Sequence, residues 1–392
     1  MTNTALSNIR VIDLSWYIAG PYCTKLLADF GADIIKIERP ETGDPSRQLG
    51  PFRNDEENIN AGGLYAYLNN NKKSITLDLK TEEGINIIKR LVATADIVVE
   101  NFTPGVLERL GLGYDILKEV NPKIVLTSIS TYGQTGNYAH FKGTELLAQA
   151  LGGYMTSVGE PTREPLRAGG QLHLLEYIAG TFAAGATLAA VRDSRKTGEG
   201  AHLDVPITNF GILQTSYPTV QNSYPTSLFK ADMRRPMIPS VHPCKDGFIG
   251  ISVLTGQQWQ NFCFMTEMYD WVEDERFITL PKRLQHKGLF LERLNGFLMN
   301  YTREELMQLG SQWRVPVTPV PTFKDIMDIP HYKERAFFEK VTHKELGDLW
   351  QPGAPFRMSE TPWSIRNTAP LLGEHTDQVL KDILEKEAVE EV

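Results

Sequence analysis

Along the first 205 positions the chain alternates between two hydrophobic rhythms. Short, nearly continuous apolar runs occupy residues 10–14, 33–38, 74–79, 96–100, 124–129 and 202–205, typified by Ile34-Ile35-Lys36-Ile37. Strands that are apolar at consecutive positions are buried on both faces, as in a parallel sheet covered by helices. Between the runs, apolar residues recur every three or four positions. Cys23, Leu26, Leu27 and Phe30 do so, residues 81–92 form an amphipathic helix with Glu82 and Glu83 in its first turn, and another helix begins at Val106. Strand, helix and strand in repeating order predict an α/β fold with a large doubly wound, Rossmann-like parallel-sheet domain. The turn Ala19-Gly20-Pro21 lacks GxGxxG, so the dinucleotide fingerprint is absent.

From Ala179 to Val191 every residue is Ala, Gly, Thr, Leu, Phe or Val. That composition predicts a buried helix packed closely on other backbone, with Gly180 and Gly185 tolerated for the closeness. Glu176 stands at its entrance, where unpaired N–H groups and the helix dipole favour an ionised carboxylate. From position alone it is a helix-capping acid. After residue 205 the pattern changes. Val241 and the residues to Ser252 form a hairpin around Lys245-Asp246-Gly247, followed by helices rich in aromatic and charged residues. Residues 206–325 are therefore expected to form a smaller α+β domain.

Forty basic against 48 acidic residues leave a net charge of -8, which points away from nucleic acid and anionic membrane surfaces as partners. A polyanionic ligand would be held by a few placed groups. Arg39, Lys72, Lys73, Asn101 and Lys142 lie in or beside loops between strands, and on one edge of the sheet they would suit separated phosphates. Cys23, Cys244 and Cys263 show no CxxC or metal-ligand spacing. No metal is expected. A cytoplasmic location is expected, since the N-terminus shows no signal-peptide pattern and no apolar run reaches the ~18 residues of a membrane span.

Several segments in order resemble the class III CoA-transferases, the group that includes the formyl-CoA:oxalate and carnitine enzymes. They are Val11-Ile12-Asp13-Leu14 through Ala19-Gly20-Pro21, Gly31 to Pro40 with Gly43-Asp44-Pro45-Ser46-Arg47, Asn71-Lys72-Lys73-Ser74-Ile75 and Glu100-Asn101-Phe102-Thr103-Pro104-Gly105. Ala148 to Gly153, the Lys245-Asp246-Gly247 hairpin and Leu372-Gly373-Glu374-His375-Thr376 complete the set. The resemblance runs from about residue 9 to the end. It implies a large domain built from residues 1–205 and a returning segment 326–392, with the small domain between them, and two chains interlocked as a homodimer. It implies coenzyme A and its acyl thioester as substrates, with a small carboxylic acid as the other, and no tightly bound cofactor.

Carried over position by position, the resemblance places Arg39, Leu77, Asp78, Leu79, Lys80, Asn101, Phe102, Arg109, Phe141 and Lys142 against CoA. Cations and amides at strand ends suit phosphates in kind. The family nucleophile is an Asp in Asp-x-x-(Ala/Ser)-Gly, matched here by Glu176-Tyr177-Ile178-Ala179-Gly180, so Glu replaces Asp. The implied activity is CoA transfer from an acyl-CoA to a carboxylic acid through an enzyme-bound glutamyl thioester. Trp16, Tyr17, Ile18, Thr144 and His173 are the implied substrate-pocket residues. Ile18 and Thr144 replace a Gln and a Tyr of the formyl-CoA enzyme, which speaks against oxalate as the acid. Gly169, Gly170 and the amides heading the Glu176 helix are candidate oxyanion donors. Two rival readings are an α-methylacyl-CoA racemase-like isomerase, whose Gly-His-Asp is replaced by Gly143-Thr144-Glu145, and a non-catalytic CoA-binding paralogue.

Overall fold

The computed structural model describes residues 4–160, 162–223, 234 and 237–390. In chain order the first elements are β1 (Arg10–Asp13), α1 (Ala19–Asp29), β2 (Asp33–Glu38), α2 (Gly63–Leu68), β3 (Lys72–Thr76), α3 (Glu82–Ala93), β4 (Ile97–Glu100), α4 (Val106–Arg109) and α5 (Tyr114–Val120). There follow β5 (Val125–Ser130), α6 (Glu145–Leu151), α7 (Leu174–Thr197), β6 (Ala201–Pro206), α8 (Ile207–Gln214) and α9 (Ser216–Ser223). The six strands lie in the order β3-β2-β1-β4-β5-β6, every neighbouring pair parallel. This is the doubly wound α/β architecture expected from the apolar runs.

Strand periodicity explains why those runs are continuous. Val11, Ile34, Ile97, Val99 and Val125 face Cys23 and Leu27 of α1 and Leu175, Ala179 and Ala183 of α7. Their neighbours Ile12, Ile35, Ile37, Ile75, Val98 and Leu126 face Ile88, Leu91 and Val92 of α3 and Leu117 of α5. The four central strands β1, β2, β4 and β5 thus supply both layers of core.

The small residues of α7 serve close packing. A Cβ on Gly180 would stand 2.5 Å from the carbonyl oxygen of Ala19, so only glycine lets α7 cross α1 at that point. Among the described residues α7 is the one helix long and apolar enough, by length and composition, to cross a membrane. No run of that kind was expected from the sequence. Its hydropathy comes from the alanines and glycines that seat it on α1 and the sheet.

The chain divides into two compact units, one comprising Met1–Gly159, Arg163–Met233 and Phe337–Val392, the other Glu160–Thr162 and Arg234–Ala336. The boundary expected after residue 205 thereby moves beyond α8 and α9, because Ile207 and Phe210 join the core that holds Leu175 and Val205. The later boundary, expected at 326, falls before β10 (Phe338–His343), which pairs with β11 (Gly347–Pro352) in the larger unit. The last segment covers the open edge of the sheet. Gly373 donates its N–H to Ser74 Oγ at 2.9 Å, Thr76 donates to Thr376 Oγ1 at 3.1 Å, and Val379 enters the core beneath. The smaller unit holds a three-stranded antiparallel sheet, β7 (Val241–Cys244), β8 (Gly247–Ile251) and β9 (Val317–Val320), with β8 central. Its core is aromatic, with Trp259, Phe262, Trp271, Phe277 and Phe290 buried together.

Candidate active site

Strand order reverses between β1 and β4, and open α/β sheets hold ligands beyond the carboxyl ends of strands at such a point. The two loops that leave there are joined. Asn101 accepts the N–H of Trp16 at 2.8 Å and donates to its carbonyl at 2.7 Å. Phe102 meets the Trp16 ring edge-on with centroids 5.2 Å apart, and the Arg39 guanidinium lies 3.8 Å above that ring. Four residues expected at the site from the sequence thus form one cluster. The others share its edge without joining it. Leu77, Asp78, Leu79 and Lys80 follow β3, where Asp78 accepts the Lys80 N–H at 3.0 Å. Arg109 closes α4, and Phe141, exposed beside Tyr138, and Lys142 lie in the loop after β5.

Beneath the β1 loop lies a buried ionic network. Tyr17, exposed and in a left-handed conformation at φ 62°, donates its N–H to Asp44 at 3.1 Å. Asp44 pairs with Lys36 at 2.9 Å, Lys36 donates to the Ser15 carbonyl at 2.8 Å, and Asp13 pairs with Lys72 at 3.1 Å. Burial would raise the Asp13 carboxyl, but Lys36, Lys72 and the Ser15 and Thr24 hydroxyls hold it well below the usual range. Burial lowers Lys72 to about 8 against the pull of Asp13. Lys72 and Lys73 are therefore not phosphate ligands. They open β3 instead of following it, Lys72 is committed to Asp13, and Lys73 pairs with Asp33 at 2.7 Å. The sequence carried a signal: Asp13 and Lys36 interrupt apolar runs, which charged residues do only when paired.

Glu100, at the end of β4, is another buried carboxyl. It accepts the Phe102 N–H at 2.7 Å, so it anchors the turn that carries Asn101 and Phe102. Burial pushes its pKa up to about 7 against hydrogen bonds from Ser128 and Phe102, with Glu108 and Asp204 adding to the rise.

Glu176 occupies the first turn of α7 and is partly exposed. Tyr177 packs edge-on against Tyr22 with centroids 4.8 Å apart, and Gly180 rests on Ala19 one turn further, which sets this turn beside the start of α1. Ile18 is buried at the N-cap of α1. Nδ1 of His173 lies 3.1 Å from Glu176 Oε2, at ion-pair distance but off the line of a hydrogen bond. The Glu176 carboxylate raises the His173 pKa, and burial and Arg167 oppose it.

The backbone of this turn is held from behind by a residue that spacing alone did not reveal. Thr144 caps α6, and the next residue, Glu145, is buried. Its carboxylate accepts the N–H groups of Leu175 at 2.9 Å and Glu176 at 3.1 Å and the Gln149 amide at 2.7 Å. Tyr177 donates its own N–H to the His173 carbonyl. Of the amides heading α7, expected as oxyanion donors, those of Leu175, Glu176 and Tyr177 are thus already engaged. Gly169 and Gly170, both at positive φ, stay as candidates. At the place of the racemase-like Gly-His-Asp, Thr144 stands for the His and caps α6, and Glu145 holds backbone N–H groups.

Comparisons with known proteins point to one family. The family model described as CoA-transferase family III matches residues 6–376. Succinate--glutarate CoA-transferase of Agrobacterium fabrum is 33% identical over 96% of this chain and 95% of its own length. Succinyl-CoA--D-citramalate CoA-transferase of Chloroflexus aurantiacus is 32% identical over 97% of this chain and 94% of its own. The crystal structure of a CAIB/BAIF family protein from Brucella suis matches with a TM-score of 0.84 and 29% identity, covering 97% of this chain and all of that one.

Proposed function

This chain belongs to CoA-transferase family III and is an enzyme that moves CoA between an acyl-CoA and a carboxylic acid; we propose that the transfer runs through the side chain of Glu176. The carboxylate attacks the thioester carbonyl, the C–S bond breaks, and CoA leaves as thiolate from an acyl-glutamyl anhydride. The thiolate then attacks the glutamyl carbonyl, which releases the first acid and leaves CoA as a glutamyl thioester. The acceptor carboxylate repeats the two steps in reverse. An ionised carboxylate needs no base, so His173 is assigned to orienting Glu176 and lining the pocket. The observation that carries the reading is the Glu145 clamp on the Leu175 and Glu176 amides, which presents Glu176 from a fixed turn.

We assign CoA to the loops beyond β2, β3, β4 and β5, with Arg39, Leu77 to Lys80, Asn101, Phe102, Arg109, Phe141 and Lys142 as contacts. Trp16, Tyr17, Ile18 and Thr144 are assigned to the acyl side. The two relatives are named for dicarboxylic acids, and succinyl-CoA with a small dicarboxylate is the pair to test first. A homodimer, interlocked as the resemblance implies, is supported by Phe182 of α7 with Ile212 and Leu213 of α8, large apolar side chains exposed on one chain. Cys23, Cys244 and Cys263 are unpaired and buried, in keeping with a cytoplasmic setting. The test is initial-rate transfer from succinyl-CoA to a panel of acids. Wild type should turn over with at least one acid and Glu176→Gln should lose at least ~1,000-fold in kcat. Equal activity of the two proteins would refute the assignment.

A further inference from the structure

Arg167 lies outside every residue so far given a role, seven positions before α7 begins at Leu174. Its neighbour Ala168 is pinned in two directions: Gln149 accepts the Ala168 N–H at 2.9 Å and donates to the Ala168 carbonyl at 3.2 Å. The same Gln149 amide donates to Glu145 Oε1 at 2.7 Å, and Glu145 holds the amides of Leu175 and Glu176. One polar chain therefore ties the backbone beside Arg167 to the backbone of Glu176. The guanidinium is close enough to His173 for its charge to lower the pKa of that imidazole. Among the described residues, Nε and Nη2 of Arg167 are buried and meet no hydrogen-bond acceptor.

Two adjacent N–H groups on one edge of a guanidinium match the two oxygens of a carboxylate, and buried donors of a cation are costly to leave unmatched. Surface arginines elsewhere in the chain solve this locally, as Arg293 does with both oxygens of Asp270. At Arg167 no acceptor among the described residues meets that edge.

We propose that Arg167 binds the distal carboxylate of a dicarboxylic acid or its CoA half-thioester while the reacting carboxyl group lies against Glu176. This rests on the assignment of Glu176 as the transfer site. It makes Arg167 the residue that separates diacids from monoacids. Loss of a bidentate, charge-assisted pair should cost roughly 10- to 100-fold in affinity.

The experiment compares wild type, Arg167→Met and Arg167→Lys with acids matched in length, succinate against butyrate and glutarate against valerate, each with its own CoA thioester. Wild type should prefer the diacids. Arg167→Met should lose roughly 10- to 100-fold in kcat/KM for diacids while the monoacid values hold, and Arg167→Lys, which keeps the charge but not the fork, should fall between. An equal loss on diacids and monoacids would overturn the proposal, since it would place the guanidinium on CoA phosphates or on the Glu176 turn itself. No loss would overturn it too. If Arg167→Met does not fold, judged by its thermal melt, the wild-type preference and the Lys variant decide in the same way. Failure of the underlying reading looks different: wild type would then transfer CoA to no acid, or Glu176→Gln would retain full activity.

Discussion

Glu145 accepts the backbone N–H of Glu176 at 3.1 Å, so one buried carboxylate sets the turn that presents another. Both oxygens of Glu145 are used, one on the Leu175 amide and Gln149, one on the Glu176 amide. Glu145→Ala would strand two backbone donors and one side-chain donor. Each buried unmatched donor costs about 1–3 kcal/mol. The variant should lower the urea midpoint clearly and reduce kcat far more than KM for acyl-CoA. Glu145→Gln, which keeps one carbonyl acceptor, should recover much of the stability. If Glu145→Ala leaves both stability and kcat at wild-type values, the clamp has no role.

The crossing of α1 and α7 turns on one missing methyl group. Gly180→Ala would bring a Cβ to 2.5 Å from the Ala19 carbonyl and 3.2 Å from the Cys23 nitrogen, against backbone that cannot step aside without moving α1. Overpacking of this kind costs about 1–3 kcal/mol. Gly185, with open space around its missing Cβ, is the control, and Gly185→Ala should be neutral or stabilising. Chemical denaturation of the two variants side by side makes the comparison.

The Glu100 carboxyl gives a pH signature. Its folded pKa of about 7 stands above the ordinary 4.5. A raised folded pKa means stability that is fully present below the unfolded value and lost as pH rises through the folded one. The loss therefore develops between about pH 4.5 and pH 7 and amounts to about 3 kcal/mol for this buried group. Glu100→Gln removes the titration. The stability of Glu100→Gln relative to wild type should rise by about that amount between pH 4.5 and pH 7.5 and stay level above it. A difference that is constant with pH would contradict the buried titration.

The sheet was legible in the sequence because strands covered on both faces cannot alternate. Ile34-Ile35 and Val98-Val99 had to be apolar at successive positions, because one residue of each pair faces each layer of helices. The start of β3 was not legible, since Lys72 and Lys73 read as polar loop until their partners Asp13 and Asp33 are seen beside them. The same reason hid the working parts of the site. Glu145 meets the Glu176 turn from 31 residues away, and the backbone of Ala168, beside Arg167, is tied to it through Gln149. Spacing along the chain reports local helices and turns, whereas these contacts depend on where α6 crosses the head of α7. Asn101, Phe102, Arg39 and Trp16 were each picked out singly, but their union in one stacked cluster follows from the reversal of strand order between β1 and β4.

The central claim is that CoA passes through a covalent bond to Glu176. Wild type incubated with succinyl-CoA, quenched with borohydride or hydroxylamine and digested should yield the peptide containing Glu176 with the mass of the reduced or hydroxamate side chain. The same peptide from Glu176→Gln should keep its unmodified mass. A trapped mass on Glu176 and on no other carboxylate is the result expected. An active wild-type enzyme that forms no adduct at Glu176 under those conditions, or one trapped at a different residue, would contradict it.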